Sequence, residues 1–245
     1  MADAASERTL LEHRNAWLDK PSLRAVYHDL YRRMADAMVP GRTLEIGGGT
    51  GNLKTFVPDA VSTDIQLASW LDVVCDAHVL PFPESAFDNI VMFDVFHHLE
   101  RPRLFLEEAV RILPRGGRVI MVEPAMTPVS TFFYHHFHPE PVDMDADPFA
   151  VAEPDPDRDP YDSNQAVPSL MFQQRKARLA SELPDLELKA CKKLSLFVYP
   201  LTGGFRPWSL MPSSLVPTLL RVEDALLPIL GALMAFRILI VLERR

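Results

Sequence analysis

The sequence has few cysteines, no excess of basic residues and no long apolar run, and each of these absences excludes a class of protein. Two cysteines, Cys75 and Cys191, are too few for a disulfide framework. The 33 acidic residues outnumber the 25 basic ones, and the net charge of -8 argues against a nucleic-acid partner. The N-terminus is charged where a secretory signal needs an apolar run, so we expect a cytoplasmic protein.

The most apolar stretch near the C-terminus is also too short to span a bilayer. Residues 225–236 lack charges, but Pro228 and Gly231 interrupt them, and a spanning helix needs about 20 apolar residues. The length of 245 residues and the 48% hydrophobic content are typical of one globular domain. We therefore predict a single domain over residues 1–245.

Helical and strand-like patterns follow one another along the chain. Residues 7–38 carry apolar side chains at helical spacing and end at Pro40-Gly41, which predicts a helical cap over residues 1–41. Short apolar runs then predict buried strands at 43–46, 60–65, 72–75, 89–93 and 118–123, with a helix at 102–113 before the last of them. This alternation is typical of an open α/β sheet with a core at 42–124.

Two insertions interrupt the C-terminal half. Residues 139–162 hold nine acidic residues, one arginine and six prolines, which fits either a solvated loop or a lid beside a ligand crevice. A helix is predicted at 169–183, a strand at 186–198 and a final strand at 236–242. Between these strands lies an apolar insertion at 199–235, which fits a packed helical cap, a homodimer interface, a cover for a hydrophobic acceptor or a transient contact with a membrane surface.

The segment LEIGGGTGNL at 44–53 is the main chemical signal. An apolar strand leads into glycines at 47, 49 and 51, which allow a sharp turn and a close approach of backbone to a ligand. The dinucleotide fingerprint G-x-G-x-x-G fails in register because Asn52 stands where its last glycine belongs. This weighs against a nicotinamide-dependent dehydrogenase.

Four blocks in order, LEIGGGTGNL at 44, STDI at 62, CDAHVLPFPESAFDNIVMFDVFHHL at 75 and LPRGGRVIMVEP at 113, carry a family resemblance. The chain resembles the class I S-adenosylmethionine (SAM) dependent methyltransferases, particularly the group that includes the ubiquinone and menaquinone biosynthesis enzymes. The resemblance covers about residues 42–124. It implies a doubly wound, seven-stranded, mostly parallel Rossmann-like sheet, with SAM as cofactor.

The same resemblance implies the cofactor contacts. Gly47 and Gly49 would lie against the methionyl and ribose parts, Asp64 would accept from the ribose hydroxyls, and Asp76 from the adenine amino group. The full implied set is Glu45, Gly47, Gly48, Gly49, Gly51, Asp64, Ile65, Asp76, Ala77, Phe93 and Asp94. Within it, Glu45 would stabilise the loop and the amino end of the ligand, the backbone of Ala77 would face the adenine edge, and Phe93 and Asp94 would approach the methyl. Asp64 and Asp76 also suit a purely local role, capping turns.

The candidate catalytic residues follow the fourth and fifth strands. His97 and His98, and Tyr134 and His135, are the side chains that we expect near the acceptor, because imidazole accepts protons near neutral pH. Local packing is the alternative role for His97 and His98. His135 and His138 share helical spacing near Glu140, but no second firm ligand set accompanies them, so we expect no metal.

The sequence therefore predicts a transferase that moves a methyl group from SAM to a small, apolar or amphiphilic acceptor. Because SAM already carries an activated methyl, alignment of the acceptor does most of the catalysis and a base is needed only for some acceptors. The alternative is a regulatory or partner protein that binds SAM without turnover.

Overall fold

Seven strands alternate with helices in the computed structural model, which describes residues 4–151, 153–155 and 157–245. The strands are β1 (Thr43–Ile46), β2 (Val61–Asp64), β3 (Val73–Val74), β4 (Asn89–Phe93), β5 (Arg118–Pro124), β6 (Leu186–Leu194) and β7 (Arg237–Arg244). The helices are α1 (Ala4–Asp19), α2 (Pro21–Ala35), α3 (Pro102–Ile112), α4 (Pro128–Phe137), α5 (Val167–Ser169), α6 (Lys176–Glu182), α7 (Val198–Thr202) and α8 (Val216–Met234). Residues 1–3 of the predicted cap, and 152 and 156 of the predicted acidic segment, lie outside the described residues.

The strands form one sheet in the order β3-β2-β1-β4-β5-β7-β6. Every pair from β3 to β5 is parallel, whereas β7 lies antiparallel between β5 and β6. The predicted seven-stranded, mostly parallel sheet is confirmed. The chain moves outward from β1 to β3 and then returns to the other side of β1 with β4. In open α/β sheets, ligands bind at the carboxyl ends of the strands at such a reversal.

The two faces of the sheet build separate cores, because side chains alternate along each strand. Ile90 and Met92 of β4 point to the face covered by α3 and α6, whereas Val91 points to the face covered by α2 and α8. Each of these three side chains is at most 1% exposed. Burial on both faces explains why the central strands read as continuous apolar runs.

Two predicted elements in the C-terminal half differ in form from the structure. The helix predicted at 169–183 consists of α5, a π-helical turn over Leu170–Gln174, and α6. The strand predicted at 186–198 ends at Leu194, where Ser195 takes a left-handed backbone conformation with φ of 55°. The buried Glu223 carboxylate then accepts hydrogen bonds from the amides of Leu196, Phe197 and Val198, which turns the chain into α7.

The acidic segment 139–162 lies against the body of the protein in its described part. Phe149 is 1% exposed and belongs to the core on the α3 face. The backbone amide of Asp155 donates to Glu100, and the Arg158 guanidinium donates to the carbonyl of His98. These contacts place the segment against the turn after β4, near the carboxyl ends of the strands, and the lid and loop interpretations both stay predictions.

The apolar insertion 199–235 forms α7, a 3-10 turn at Ser213–Leu215 and α8. Helix α8 packs on α2, α4 and β6, which accounts for one side of its apolar sequence. Its other side remains exposed, with Val222 43%, Ile229 76% and Leu233 50% accessible. In the described part of the chain, no helix combines the length and apolar character that crossing a bilayer requires.

Candidate functional site

A cavity of about 780 Å³ opens at the carboxyl ends of β1 and β4. The glycine loop, the ends of β2 and β4, and the turn after β3 form its walls. Three covering elements complete it: α1 through Leu10 and His13, the acidic segment through Tyr161, and the chain after α7 through Phe205. Its volume is in the range of small-molecule and cofactor sites.

The glycine loop needs glycine for two reasons. Gly47, Gly49 and Gly51 have positive φ values of 68°, 45° and 77°. A Cβ on Gly47 would lie 2.3 Å from the Val95 side chain, and one on Gly48 would lie 2.2 Å from the Ser62 hydroxyl. The loop continues into a single 3-10 turn, Leu53–Thr55. The loop backbone, rather than the end of a long helix, therefore faces the cavity.

Asp64 ends β2 and joins the loop to the cavity wall. Its Oδ2 accepts a hydrogen bond of 2.9 Å from the amide of Gly49, and its Oδ1 one of 2.9 Å from the amide of Gln66. Asp64 thus has the local capping role and also lines the cavity. Each oxygen keeps lone pairs for a further donor.

Asp76 also combines both roles. Its Oδ1 accepts from the backbone amide of His78 at 2.8 Å and contacts the His78 ring nitrogen Nδ1 at 2.6 Å. This bond holds the turn after β3 and lowers the pKa of Asp76. Both of these contacts use Oδ1 and neither uses Oδ2. Asp76 and Ala77 both line the cavity.

Glu45 lies beneath the loop rather than in the cavity wall. It is 4% exposed, and its carboxylate accepts a hydrogen bond from the Ser62 hydroxyl. Burial raises the pKa of Glu45 to about 7, although the Ser62 hydroxyl opposes the rise. The structure therefore places Glu45 as a support of the loop, and it does not bring the side chain into contact with the space for the ligand's amino end.

Stacked aromatic rings hold the end of β4. Phe93 stacks on Tyr27 of α2 with a centroid distance of 4.6 Å, and Tyr31 lies 5.0 Å from the same ring. Tyr27 and Tyr31 line the cavity but were predicted only as helix core residues. The helical spacing of apolar residues in α2 does not indicate this second role. A helix face that packs in the core and one that lines a cavity have the same apolar spacing.

Asp94 follows Phe93 in a left-handed conformation with φ of 56°, and it pairs with Arg237. Burial raises the pKa of Asp94 to about 6, against the lowering by the Arg237 guanidinium. Arg237 also donates to the Tyr199 hydroxyl. Arg237 is the first residue of β7. Because β7 runs antiparallel to β5, Arg237 lies opposite Pro124, at the carboxyl end of β5.

His97 is clamped between two carboxylates. Its Nδ1 lies 2.7 Å from Glu123 Oε2 and its Nε2 lies 3.2 Å from Glu140 Oε2. Burial disfavours a charge on the ring, but the two carboxylates outweigh it and raise the pKa of His97 to about 10. A ring held this way is not a free base at neutral pH. Glu123 is the second-last residue of β5, close to the same edge of the sheet as Asp64 and Asp94.

The other three catalytic candidates differ in placement. Burial and the neighbouring His97 lower the pKa of His98 to about 4, so its imidazole is neutral. The hydroxyl of Tyr134 donates to the carbonyl of Phe236 at 2.9 Å, and burial raises the pKa of Tyr134. His135 is exposed on α4 and lies outside the cavity wall.

The structure brings most of the predicted site residues to one cavity. Those that line it are Gly47, Gly48, Gly49, Asp64, Ile65, Asp76, Ala77, Phe93, Asp94, His97, His98 and Tyr134. Glu45, Gly51 and His135 do not. Gly51 instead faces Trp70, whose indole nitrogen donates to the carbonyl of Gly49 at 2.8 Å.

Residues 44–121 match the family model described as a methyltransferase domain. An uncharacterised protein of Methanocaldococcus jannaschii is 28% identical over 118 residues, which cover 45% of this chain and 57% of that protein. The ubiquinone/menaquinone biosynthesis C-methyltransferase UbiE of Ruegeria sp. is 30% identical over 128 residues, covering 40% of this chain and 51% of that enzyme. The matches thus span about half the length of these relatives.

Solved structures extend the similarity of fold to most of the chain. A SAM-dependent methyltransferase of Thermotoga maritima superposes with a TM-score of 0.54 at 17% identity, covering 98% of this chain and 94% of that one. One from Archaeoglobus fulgidus gives a TM-score of 0.53 at 12% identity, covering 91% of this chain and 94% of that one.

We expect Glu45→Gln to remove a pH dependence of stability. The pKa of Glu45 is about 7 when folded, above its value of about 4.3 in an unfolded chain. Its contribution to stability is therefore fully present below about pH 4.3 and is lost as the pH rises through 7. Relative to the variant, the wild type should lose about 3 kcal/mol of unfolding free energy between pH 4.5 and 8, measured by urea denaturation.

Glu107→Gln, on the exposed side of α3, is the matched control for this comparison. Parallel stability curves for wild type and Glu45→Gln across this pH range would contradict the burial argument.

Proposed function

We propose that this chain is a class I SAM-dependent methyltransferase that transfers a methyl group from SAM to a small, apolar or amphiphilic acceptor. The observation that carries the proposal is the convergence of the glycine loop, Asp64 and the end of β4 on one cavity. SAM is the cofactor, and its sulfonium makes the transferred methyl group electrophilic.

The cavity residues fit this cofactor. Each Asp64 oxygen accepts one backbone amide and retains a lone pair, so the pair suits two adjacent ribose hydroxyls. A Cβ on Gly49 would meet no atom closer than 3.8 Å, so that side of the loop is open to a ligand. In the same wall, the buried amide oxygen Oε1 of Gln66 has no hydrogen-bond partner among the described residues. These features support binding of a nucleoside.

The chain's own residues orient the reactants and exclude water. Phe93 and Asp94 are held by the Tyr27 stack and by Arg237, which keeps the end of β4 in one position. The covering elements close the cavity from above, with His13 of α1 stacked on Phe205 at 4.6 Å. Fixed geometry and a shielded site account for most of the rate of a methyl transfer.

An apolar acceptor is supported by the rest of the lining. Beyond Asp94, aromatic side chains of α4, α7, the chain after α7 and the residue before β7 face the cavity: Phe133, Phe137, Tyr199, Phe205, Trp208 and Phe236. Among His97, His98 and Tyr134, no side chain combines a free acceptor atom with a pKa near 7. These three side chains thus favour an acceptor atom that is already nucleophilic, or one that is activated in another way.

The alternative, SAM binding without methyl transfer, stays open because the same fold occurs in a protein with another activity. The [4+2]-cyclase SpnF shares the fold with a TM-score of 0.52 at 16% identity, covering 88% of this chain and 80% of that one. The fold alone therefore does not imply methyl transfer. Formation of S-adenosylhomocysteine distinguishes the two functions.

We expect Asp64→Ala to weaken SAM binding by more than about tenfold, because each charge-assisted hydrogen bond contributes about 1.5 to 3 kcal/mol. The measurement is isothermal titration calorimetry, with the exposed Asp59→Ala as control and melting temperatures to verify folding. Unchanged affinity in folded Asp64→Ala would refute the ribose assignment.

We expect S-adenosylhomocysteine to accumulate when SAM is incubated with the protein and a panel of apolar hydroxyl, thiol and ring-carbon acceptors. A matched panel of charged, water-soluble acceptors should give at least about tenfold less product, since the lining offers apolar surface. SAM binding with no product from any acceptor would favour the alternative function.

The exposed apolar side of α8 supports contact with the source of such an acceptor. Ile229 and Leu233 lie on the same helix side, and Phe132 and Phe137 of the contacting α4 are 58% and 57% exposed. Phe137 also lines the cavity, so the apolar surface continues into the site. We propose transient contact with a membrane surface through 199–235 and α4.

Ile229→Glu should reduce co-sedimentation with phosphatidylcholine vesicles by about tenfold, because it places a charge in the apolar contact. Leu11→Glu, an exposed position on α1, is the matched control. A protein that ignores vesicles but forms a homodimer disrupted by Ile229→Glu would identify this surface as a dimer interface instead.

A further inference from the structure

A cluster of two histidines and a glutamate lies where the acidic segment meets the 3-10 turn Phe96–His98. The available donor atoms of His97, His98 and Glu140 lie within 4.8 Å of one another. The His97 side chain is 2% exposed and that of Glu140 28%. All three residues line the cavity, and the cluster adjoins Asp94 at the end of β4.

Glu123 orients His97 from the side away from the cavity. Its Oε1 accepts from the amides of Val95 and Phe96 at 2.9 and 2.8 Å, and its Oε2 lies 2.7 Å from His97 Nδ1. With its carboxylate used in this way, Glu123 fixes the proton of His97 on Nδ1 and leaves Nε2 facing Glu140. A buried carboxylate that holds the far nitrogen of a histidine is the usual support of a metal ligand.

Neighbouring residues also hold the side chains of His98 and Glu140. His98 interacts with the backbone of Asp162, while its Nδ1 is buried without a hydrogen-bond partner among the described residues. Glu140 is held by the side-chain amide of Gln165, a residue that is 3% exposed. An unpaired, buried imidazole nitrogen is costly unless something occupies the space beside it.

We propose that His97 Nε2, His98 Nδ1 and the Glu140 carboxylate bind one divalent first-row transition metal ion, with Zn²⁺ as the reference ion. Two imidazoles and one carboxylate form a donor set that suits such ions better than Mg²⁺ or Ca²⁺, which prefer oxygen. His97 Nε2 and Glu140 Oε2 are 3.2 Å apart. Two ligands that each lie about 2.1 Å from one ion are separated by about 3.0 to 3.4 Å.

The charges around the cluster are compatible with a bound cation. Two carboxylates, those of Glu123 and Glu140, contact the His97 ring, and Arg237 pairs with Asp94 beside it. Buried charges are stable when they are compensated or coordinate metals. The pairing with Arg237 also makes Asp94 a poor ligand.

The sequence-based expectation of no metal considered a different pair, His135 and His138 beside Glu140. The structure leaves His135 exposed, and the His138 ring accepts a 3.3 Å bond from the Glu140 amide. It is the pair on the turn after β4 that approaches the Glu140 carboxylate. The long separation in sequence, 42 residues from His98 to Glu140, hides this set from a spacing argument.

The ion would have two consequences for the site. It would tie the acidic segment to the turn after β4, since Glu140 belongs to the first and the histidines to the second. It would also lower the pKa of a hydroxyl or thiol bound at an open coordination position, which replaces the missing free base. The second consequence rests on the proposed methyl transfer, whereas metal binding itself does not.

The test is metal binding by the chelator-treated, full-length protein. Titration with Zn²⁺ by calorimetry should show one site per chain, and Co²⁺ should give visible absorption bands from a site with nitrogen ligands. Glu140→Gln and His98→Ala should each weaken binding by about 100-fold or more, because each removes a direct ligand. Metal binding is measured without SAM, so its result is independent of the cofactor assignment, which the Asp64→Ala titration tests.

His136→Ala, an exposed histidine on α4, is the matched control and should bind the metal as the wild type does. Melting curves establish that each variant is folded. The proposal is overturned if the wild type binds neither ion more tightly than about 100 μM, or if folded Glu140→Gln and His98→Ala both retain wild-type affinity and the Co²⁺ spectrum. Loss of binding in His136→Ala alone would place the ion on the surface.

Discussion

The pairing of β4 with β1, on the side opposite to β2, is the constraint on which the rest of the site depends. Three parallel strands, β2, β1 and β4, are hydrogen-bonded side by side, so their carboxyl ends meet at one edge. The chain leaves β1 and β4 in opposite directions along the sheet, and a crevice opens between the two exits. The glycine loop occupies one side of it and Asp94 the other.

Buried charge around this crevice is paired almost everywhere that the structure describes it. Asp94 meets Arg237, Glu123 meets His97, and Glu223 accepts three backbone amides. Such pairs contribute little net stability, yet removal of one partner is strongly destabilising because the other charge stays buried. They therefore hold the strand ends in one arrangement, which is what a site that works by alignment requires.

Covering elements from distant parts of the sequence complete the cavity. Helix α1 contributes Leu10 and His13, the acidic segment contributes Tyr161, and the chain after α7 contributes Phe205. These covering residues all lie outside residues 44–121, the part of the chain that matches the methyltransferase family model.

The sequence by itself determined the core of the fold and many of the residues that line the cavity at the carboxyl ends of β1 and β2. The glycines at 47, 49 and 51 and the acidic residue at the end of β2 can be recognised from a few neighbouring residues. A positive φ favours glycine, and the end of a buried strand is seen as a change from apolar to polar residues. The roles of Glu45, His97 and Tyr134 were decided only by the tertiary structure. Whether a carboxyl supports a loop or faces a ligand, and whether a histidine is free or clamped, depends on burial and on partners far along the chain. Glu140 approaches His97 across 43 residues, and such a contact exists only once the sheet has brought both segments to its carboxyl edge.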